Sequence, residues 1–431
     1  MKHIITRLRA GFLSASLMSL PAISLANPAA QWQPEEFPIG FWLGPPQAAN
    51  TPESYRQIKD CGFTLAFVGF GNCTKDDYHQ TLDICQGIGL KAMIYMHEEI
   101  WRAYAQKTDW RAIPAERAAE FGQHPALAGW GLLDEPRAEH FPELAVWNRT
   151  LGERTPGKLR FINLLPHGCP PDQTGAKSYE DYVETFLTTV KPDVLCFDHY
   201  VLLKEGVQKE GTLVPNYFEN LEIIRAAALR HNVPAWNGIL AWSHSVYASP
   251  TPAQMRWQVW TSLAYGMKGI MYFTYWPDPE QKPGNPAIVD VNGKPSAIYP
   301  EVKKLNHEMQ TLGQILLKLT STGVYHAGEI PSGGKPVPAD AALQLPADQP
   351  LLVGFFRMDG TDEEYAIVVN RDYAKPLECD LRPTAAVRDV QLVSAADGAV
   401  STLPVADGKL HITLAPGEGK LLKLGMLSRS N

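Results

Sequence analysis

The sequence has no C-x-x-C pair, no His-Glu-x-x-His helix, no Gly-x-Ser-x-Gly elbow, no phosphate loop and no dinucleotide fingerprint. These gaps argue in turn against a zinc or redox site, a zinc hydrolase, a serine esterase, and nucleotide or nicotinamide chemistry. Neither a metal nor an organic cofactor is expected. Basic clusters are missing too, and the formal charge is −7, which argues against nucleic acid, whose phosphates call for a Lys/Arg face. After the first twenty residues no run approaches the roughly 18 apolar residues of a membrane span. Six cysteines in 431 residues are too few for a disulfide scaffold. Most read as small buried residues, and a pairing of Cys61 with Cys73 or Cys85 stays open. A neutral or amphipathic small-molecule partner fits these exclusions.

The first residues carry the pattern of a secretory signal. Lys2, Arg7 and Arg9 precede an apolar stretch from Ala10 to Leu20, and Ser24-Leu25-Ala26 forms a small-x-small cleavage site. The reading is a signal peptide over 1–26 and a periplasmic or secreted mature chain. Its oligomeric state is not legible.

Short β-rich apolar runs then alternate with amphipathic stretches, the pattern of a parallel sheet wrapped by helices. The runs lie at 39–43, 64–70, 91–97, 128–133, 159–164, 194–198, 235–240 and 269–275. Eight of them in roughly 250 residues predict an α/β fold of the (β/α)8 TIM-barrel type over 27–320. Thr51-Pro52 and Thr251-Pro252 read as helix starts, with Thr as N-cap and Pro in the first turn. Tyr182, Phe186 and Val190, four residues apart, read as the buried stripe of a helix over 179–190. A long helix over 299–319 ends the pattern. Alternating segments at 351–356, 364–370, 387–393 and 409–414 then predict a small C-terminal antiparallel β-sandwich over 321–431, read as a stabilising appendage.

Barrel enzymes place their chemistry at the C-terminal strand ends. There the sequence offers Trp42, Asn72, His97 with Glu98 and Glu99, Asp134-Glu135, Asn163 with His167, Asp198-His199-Tyr200, Asn237 with Trp242 and His244, and Tyr275-Trp276 with Asp278. The sharpest feature is Gly129-Trp130-Gly131-Leu132-Leu133-Asp134-Glu135-Pro136, an apolar strand that delivers two carboxylates and stops at a proline. A carboxyl in an apolar, aromatic-walled mouth keeps its proton to higher pH and can act as a general acid, the role expected of Glu135. The two acids could instead serve only to cap the following helix. Glycoside hydrolysis normally needs a second carboxylate, for which Asp198 and Asp134 are the candidates, with Glu98 and Glu99 in reserve. Asn72, His97, Asn163, His199, Tyr200 and Asn237 are expected to hold the sugar beside Trp42, Trp242, Tyr275 and Trp276. Trp130 and Trp236, inside strands, read as packing.

The GWGLLDEP strand, the Phe197-Asp198-His199-Tyr200 strand end, the Tyr272-Phe273-Thr274-Tyr275-Trp276 strand and the closing Ala415-Pro416-Gly417-Glu418-Gly419 resemble barrel glycoside hydrolases of the large β-glycosidase clan. The family 42 β-galactosidases are among the similar enzymes. The resemblance implies that Glu135, at the end of strand four, is the acid/base. It also implies a nucleophilic Glu at the end of strand seven, where Val233 to Ile239 offers none. Asp134-Glu135-Pro136 resembles in addition the family 123 β-N-acetylgalactosaminidases. That likeness implies a substrate-assisted mechanism in which Asp positions an acetamido nucleophile and Glu is the acid/base. A non-catalytic glycan-binding protein on the same barrel is the remaining expectation.

Overall fold

The computed structural model describes residues 32–70, 73–208, 213–278 and 284–427. The secretory start read over 1–26 and the candidate Asn72 lie outside the described residues. Eight strands, β1 (Ile39–Phe41), β2 (Leu65–Val68), β3 (Lys91–Tyr95), β4 (Leu127–Asp134), β5 (Leu159–Leu164), β6 (Leu195–Asp198), β7 (Ala235–Leu240) and β8 (Ile270–Phe273), form one parallel sheet. Each pairs with the next from β2 to β8, and β8 pairs with β1. The ring closes at Thr64, whose N–H donates to the Ile39 carbonyl at 3.0 Å and whose Oγ1 accepts from the Ile39 N–H at 2.8 Å. This is the expected barrel, with strand bounds within two residues of the sequence reading.

Alternation along the strands sorts side chains into two layers. Leu65, Phe67, Met93, Tyr95, Phe161 and Trp236 pack inside the barrel, while Ala66, Val68, Ile94, Ile162 and Ile239 face the helices. Trp130 and Trp236 are fully buried, as their place inside strands predicts. The helix starts follow their sequence signals. Thr51 Oγ1 accepts from the Ser54 N–H, and Thr251 with Gln254 forms a reciprocal capping box. The helix Tyr179–Val190 buries the predicted Tyr182, Phe186 and Val190. All six cysteines are free. Among the described residues no helix is long and apolar enough to cross a membrane.

The last barrel helix, Tyr299–Leu316, leads into a two-sheet antiparallel sandwich. Its strands are β9 (Leu319–His326), β10 (Leu343–Gln344), β11 (Leu351–Met358), β12 (Glu364–Asn370), β13 (Leu377–Pro383), β14 (Val387–Val393), β15 (Val400–Leu403), β16 (Val405–Ala406), β17 (Lys409–Leu414) and β18 (Gly419–Met426). The larger sheet runs in the order β15-β14-β18-β12-β11-β9, and its strands β11 and β12 are buried on both faces. Tyr365, Ile367 and Val369 of β12 join the barrel core, whereas Ala366 and Val368 join the core between the sheets. Burial on both faces explains why β12 reads as a nearly continuous apolar run.

The barrel-facing side sits close against the helix Pro252–Ala264. A Cβ at Gly354 would overlap the Ala264 carbonyl oxygen. Gly354→Ala is therefore expected to lower the melting temperature by several degrees, the effect of about 1–3 kcal/mol of overpacking. Gly87→Ala, on the helix Lys75–Ile88 with open space at the added methyl, leaves it unchanged or higher. Equal melting temperatures for the two variants would refute so close a contact.

Candidate active site

The mouth at the C-terminal strand ends is built by one irregularity in β4. Gly131 pairs with Phe161 and Asp134 with Asn163, so three steps on β4 span two on β5, a β-bulge. Gly131 faces inward, since a Cβ there would lie 2.7 Å from the Phe67 ring and 2.9 Å from that of Tyr95. Regular alternation would next turn Leu133 inward. The extra residue leaves Leu132 and Leu133 packed with the helices and turns Asp134 toward Asn163. Glu135 follows in the left-handed region at φ 47°, a conformation that costs free energy for a non-glycine residue and gathers at functional sites. Its N–H is tied to the Asn163 carbonyl at 2.9 Å.

Asn163 is the hub. Its Nδ2 donates to Asp134 Oδ1 at 3.0 Å and to Asp198 Oδ1 at 3.1 Å, while its Oδ1 accepts from the Cys196 thiol at 3.3 Å. One amide thus uses both of its N–H groups on two carboxylates, whose bonded oxygens lie no more than about 6 Å apart. The partner of Asp198 on β7 is Gly238, where a Cβ would come 2.8 Å from the Asp198 Cβ. At Gly238 strand seven has no room for a longer side chain, because Asp198 fills the space beside it.

The carboxylates are electrostatically crowded. Burial, then the charge of Asp198, raises the Asp134 pKa to about 7. Burial pushes Glu135 upward as well, followed by the charges of Asp198 and Asp134. Its side chain is exposed to solvent at the mouth. Asp198 is also raised by burial, but hydrogen bonds from Tyr200 and Asn163 hold it back. No hydrogen bond holds Glu135 down in the same way, so of the two it is the one that retains a proton near neutrality.

His97 opens the helix His97–Ala105, and its Nδ1 accepts the Asp134 N–H at 3.0 Å. A backbone N–H can only donate, so the proton of the neutral ring sits on Nε2. Burial lowers the His97 pKa to about 4 and keeps the ring neutral. It stacks on Tyr95 with ring centres 5.5 Å apart. Across the mouth, Tyr200 packs against Phe273, His244 and Tyr247 at 5.0 to 5.4 Å. Trp42 lies beneath, edge-on to Phe67 and Tyr95. A cavity of about 500 Å³ opens between the β1 and β2 ends, lined by Phe67, Phe70, Glu98 and Trp276 among others.

The structure thus brings together Asp134, Glu135, Asp198, Asn163, His97, Tyr200 and Trp42. It places three other sugar-holding candidates in the helix-facing layer, a correction to the sequence reading. Asn237 Nδ2 donates to Ser262 Oγ at 2.9 Å, His199 Nδ1 lies 2.6 Å from Asn220 Oδ1, and Tyr275 packs on Phe41 and Phe63. The reason is alternation: inward-facing Trp236 and Asp198 turn their neighbours Asn237 and His199 outward. Trp242 and Trp276 are nearly buried, and their indole N–H groups donate to the Asn285 and Val291 carbonyls. They brace the last loop. Glu99 pairs with Arg117 at 3.0 and 3.1 Å. Among the described residues no group of three or more His, Cys, Asp or Glu side chains is arranged to hold a metal ion.

Sequence reasoning missed Cys196, Gly238 and Tyr95. Inward alternation from Trp236 to Gly238 was the available signal for the second. Tyr247, in a loop, carries no periodic signal.

Because the Asn163 amide favours the ionised forms of both aspartates, Asn163→Ala is expected to raise their pKa values. Activity that depends on ionised Asp198 then shows its acid-side limb at higher pH. An unshifted pH–rate profile would remove Asn163 from that role.

No family model matches the sequence, and no curated protein is similar to it at a significant level. Solved structures share the fold. A glycoside hydrolase family 5 protein from Bacteroides vulgatus has a TM-score of 0.56 at 13% identity, covering 90% of this chain and 89% of its own. A protein described as a glycoside hydrolase has 0.54 at 13%, covering 91% and 93%. The β-galactosidase of the psychrophilic Marinomonas ef1 has 0.50 at 13% over 68% of this chain, which spans 63% of that enzyme's length. At such identities the likeness establishes the barrel-plus-sheet architecture.

Proposed function

We propose that this chain hydrolyses an O-glycosidic bond of an oligo- or polysaccharide, with Glu135 as general acid/base. The observation that carries the reading is the convergence of Asp134, Glu135 and Asp198 around Asn163 at the barrel mouth, with their pKa values raised. Glu135 holds a proton for the leaving oxygen. Asp198, held lower by Tyr200 and Asn163, is the carboxylate that ionises first and can take a proton from water. The solved neighbours described as glycoside hydrolases agree with this reading.

Gly238 beside Asp198 disfavours a strand-seven nucleophile and with it the mechanism that the family 42 resemblance implies. Two routes then suit the geometry. Asp198 activates a water and the anomeric configuration inverts, or Asp134 positions a substrate acetamido group as the family 123 motif implies. The secretory pattern of the first residues supports action outside the cytoplasm.

The test is release of reducing sugar from polysaccharides and aryl glycosides, N-acetylhexosaminides included, by the wild type and Glu135→Gln. Hydrolysis lost in the variant supports the reading. Binding without hydrolysis by both proteins would replace it with the glycan-binding alternative.

A further inference from the structure

The helix His97–Ala105 starts at the mouth, where His97 Nδ1 accepts the Asp134 N–H. Its inner face is held by Ile100, 2% exposed, and by the pairing of Glu99 with Arg117. His97, Trp101 and Tyr104 recur at spacings of four and three, one stripe along the helix. A stripe of that period ordinarily buries itself as core. This one does not: Trp101 is 39% and Tyr104 55% exposed.

The rings form a continuous track. Trp101 stands edge-on to His97 at 6.1 Å and to Tyr104 at 5.5 Å, and Tyr104 meets Trp110 at 5.7 Å. Trp110 is anchored on buried Trp147 at 5.6 Å, and the Arg111 guanidinium lies 4.1 Å over its ring. Trp101 also meets His140 at 6.0 Å, in the segment that follows Glu135. The track therefore leaves the mouth on the side of Glu135.

We propose that Trp101 and Tyr104 form a sugar platform that holds the leaving-group end of an oligosaccharide cut beside Glu135. The inference rests on the hydrolase reading and adds to it that the substrate is a chain. Flat rings with a polar edge suit the apolar faces of sugar rings, and from His97 to Tyr104 the helix gives about 10 Å of track. A protein partner is the weaker occupant. Two aromatic side chains supply roughly 300–500 Å², short of the about 800 Å² per partner of a stable interface. An acid that protonates the departing oxygen must lie on the leaving-group side, and the track's contact with His140 places it there.

The experiment measures kcat/KM on the aryl glycoside that the wild type cleaves and on the disaccharide-to-hexasaccharide series of the same sugar. It uses the wild type, Trp101→Ala and Tyr104→Ala. Wild-type rates are expected to rise with chain length, and each variant to lose about tenfold more on the hexasaccharide than on the aryl glycoside. Tyr104→Ala, a turn further from His97, guards against a disturbed mouth in Trp101→Ala. Equal losses on short and long substrates in Tyr104→Ala, or wild-type rates independent of length, would overturn the platform while leaving the hydrolase reading intact. Failure of the wild type on every glycoside would reject the underlying reading instead.

Discussion

Glu135→Gln is expected to reduce turnover on natural glycosides by about 10²–10⁴-fold, the usual contribution of a positioned proton donor. The substitution keeps the shape of the side chain and its place after the β4 bulge but removes the ionisable proton. The loss is expected to depend on the leaving group. A sugar alkoxide departs only with a proton, whereas a nitrophenolate needs little help, so the variant loses less on the nitrophenyl glycoside. The pH profile supplies a second check. Burial and two neighbouring charges push Glu135 upward, so wild-type activity requires its protonated form and falls as pH rises through that raised value. The variant has no proton to lose there and is expected to lack this alkaline limb. Equal losses for both leaving groups would make Glu135 a positioning residue.

The barrel was legible because each of its eight strands carries an apolar run, and the helices after β1 and β7 open on Thr-Pro start signals. β12 was legible from its apolar run Tyr365-Ala366-Ile367-Val368-Val369, buried on both faces. β18, equally central, was not: Lys420 and Lys423 interrupt Leu421, Leu422 and Leu424, which hides the strand in a mixed pattern. At the site, Asp134, Glu135 and Asp198 were legible as polar endings of apolar strands. Their grouping was not, because it depends on the β4 bulge and on the Asn163 amide reaching two strands. Asn237 and His199 show the reverse limit. His199 stands just past the end of β6 and Asn237 inside β7 opposite Phe197, yet alternation turns them toward Asn220 and Ser262. Height was readable from the strand ends, and facing had to await the register.

Asp134→Asn and Asp198→Asn are expected to separate the two routes through activity and to agree in stability. If Asp198 activates water, its amide variant loses at least about 10²-fold on every substrate, and Asp134→Asn loses less. If an acetamido group attacks, Asp134→Asn carries the larger loss and only N-acetylated substrates are cleaved. Stability follows from the raised carboxyl pKa values. Asp134 titrates at about 7 when folded against an ordinary value near 3.8, so between these pH values the folded chain binds more protons than the unfolded chain. Stability conferred by that carboxyl is present at acid pH and is lost as pH rises from about 4 through about 7. Asn cannot ionise, and Asp134→Asn is therefore expected to melt higher than the wild type at pH 8 and close to it at pH 4. Asp198→Asn follows the same sign, since burial also raises that group. A variant that is inactive and more stable at pH 8 has lost a charge the fold accommodates only at a cost, as a proton-handling site requires. A variant that is inactive and less stable at pH 8 would identify the carboxylate as a structural hydrogen-bond acceptor for Asn163.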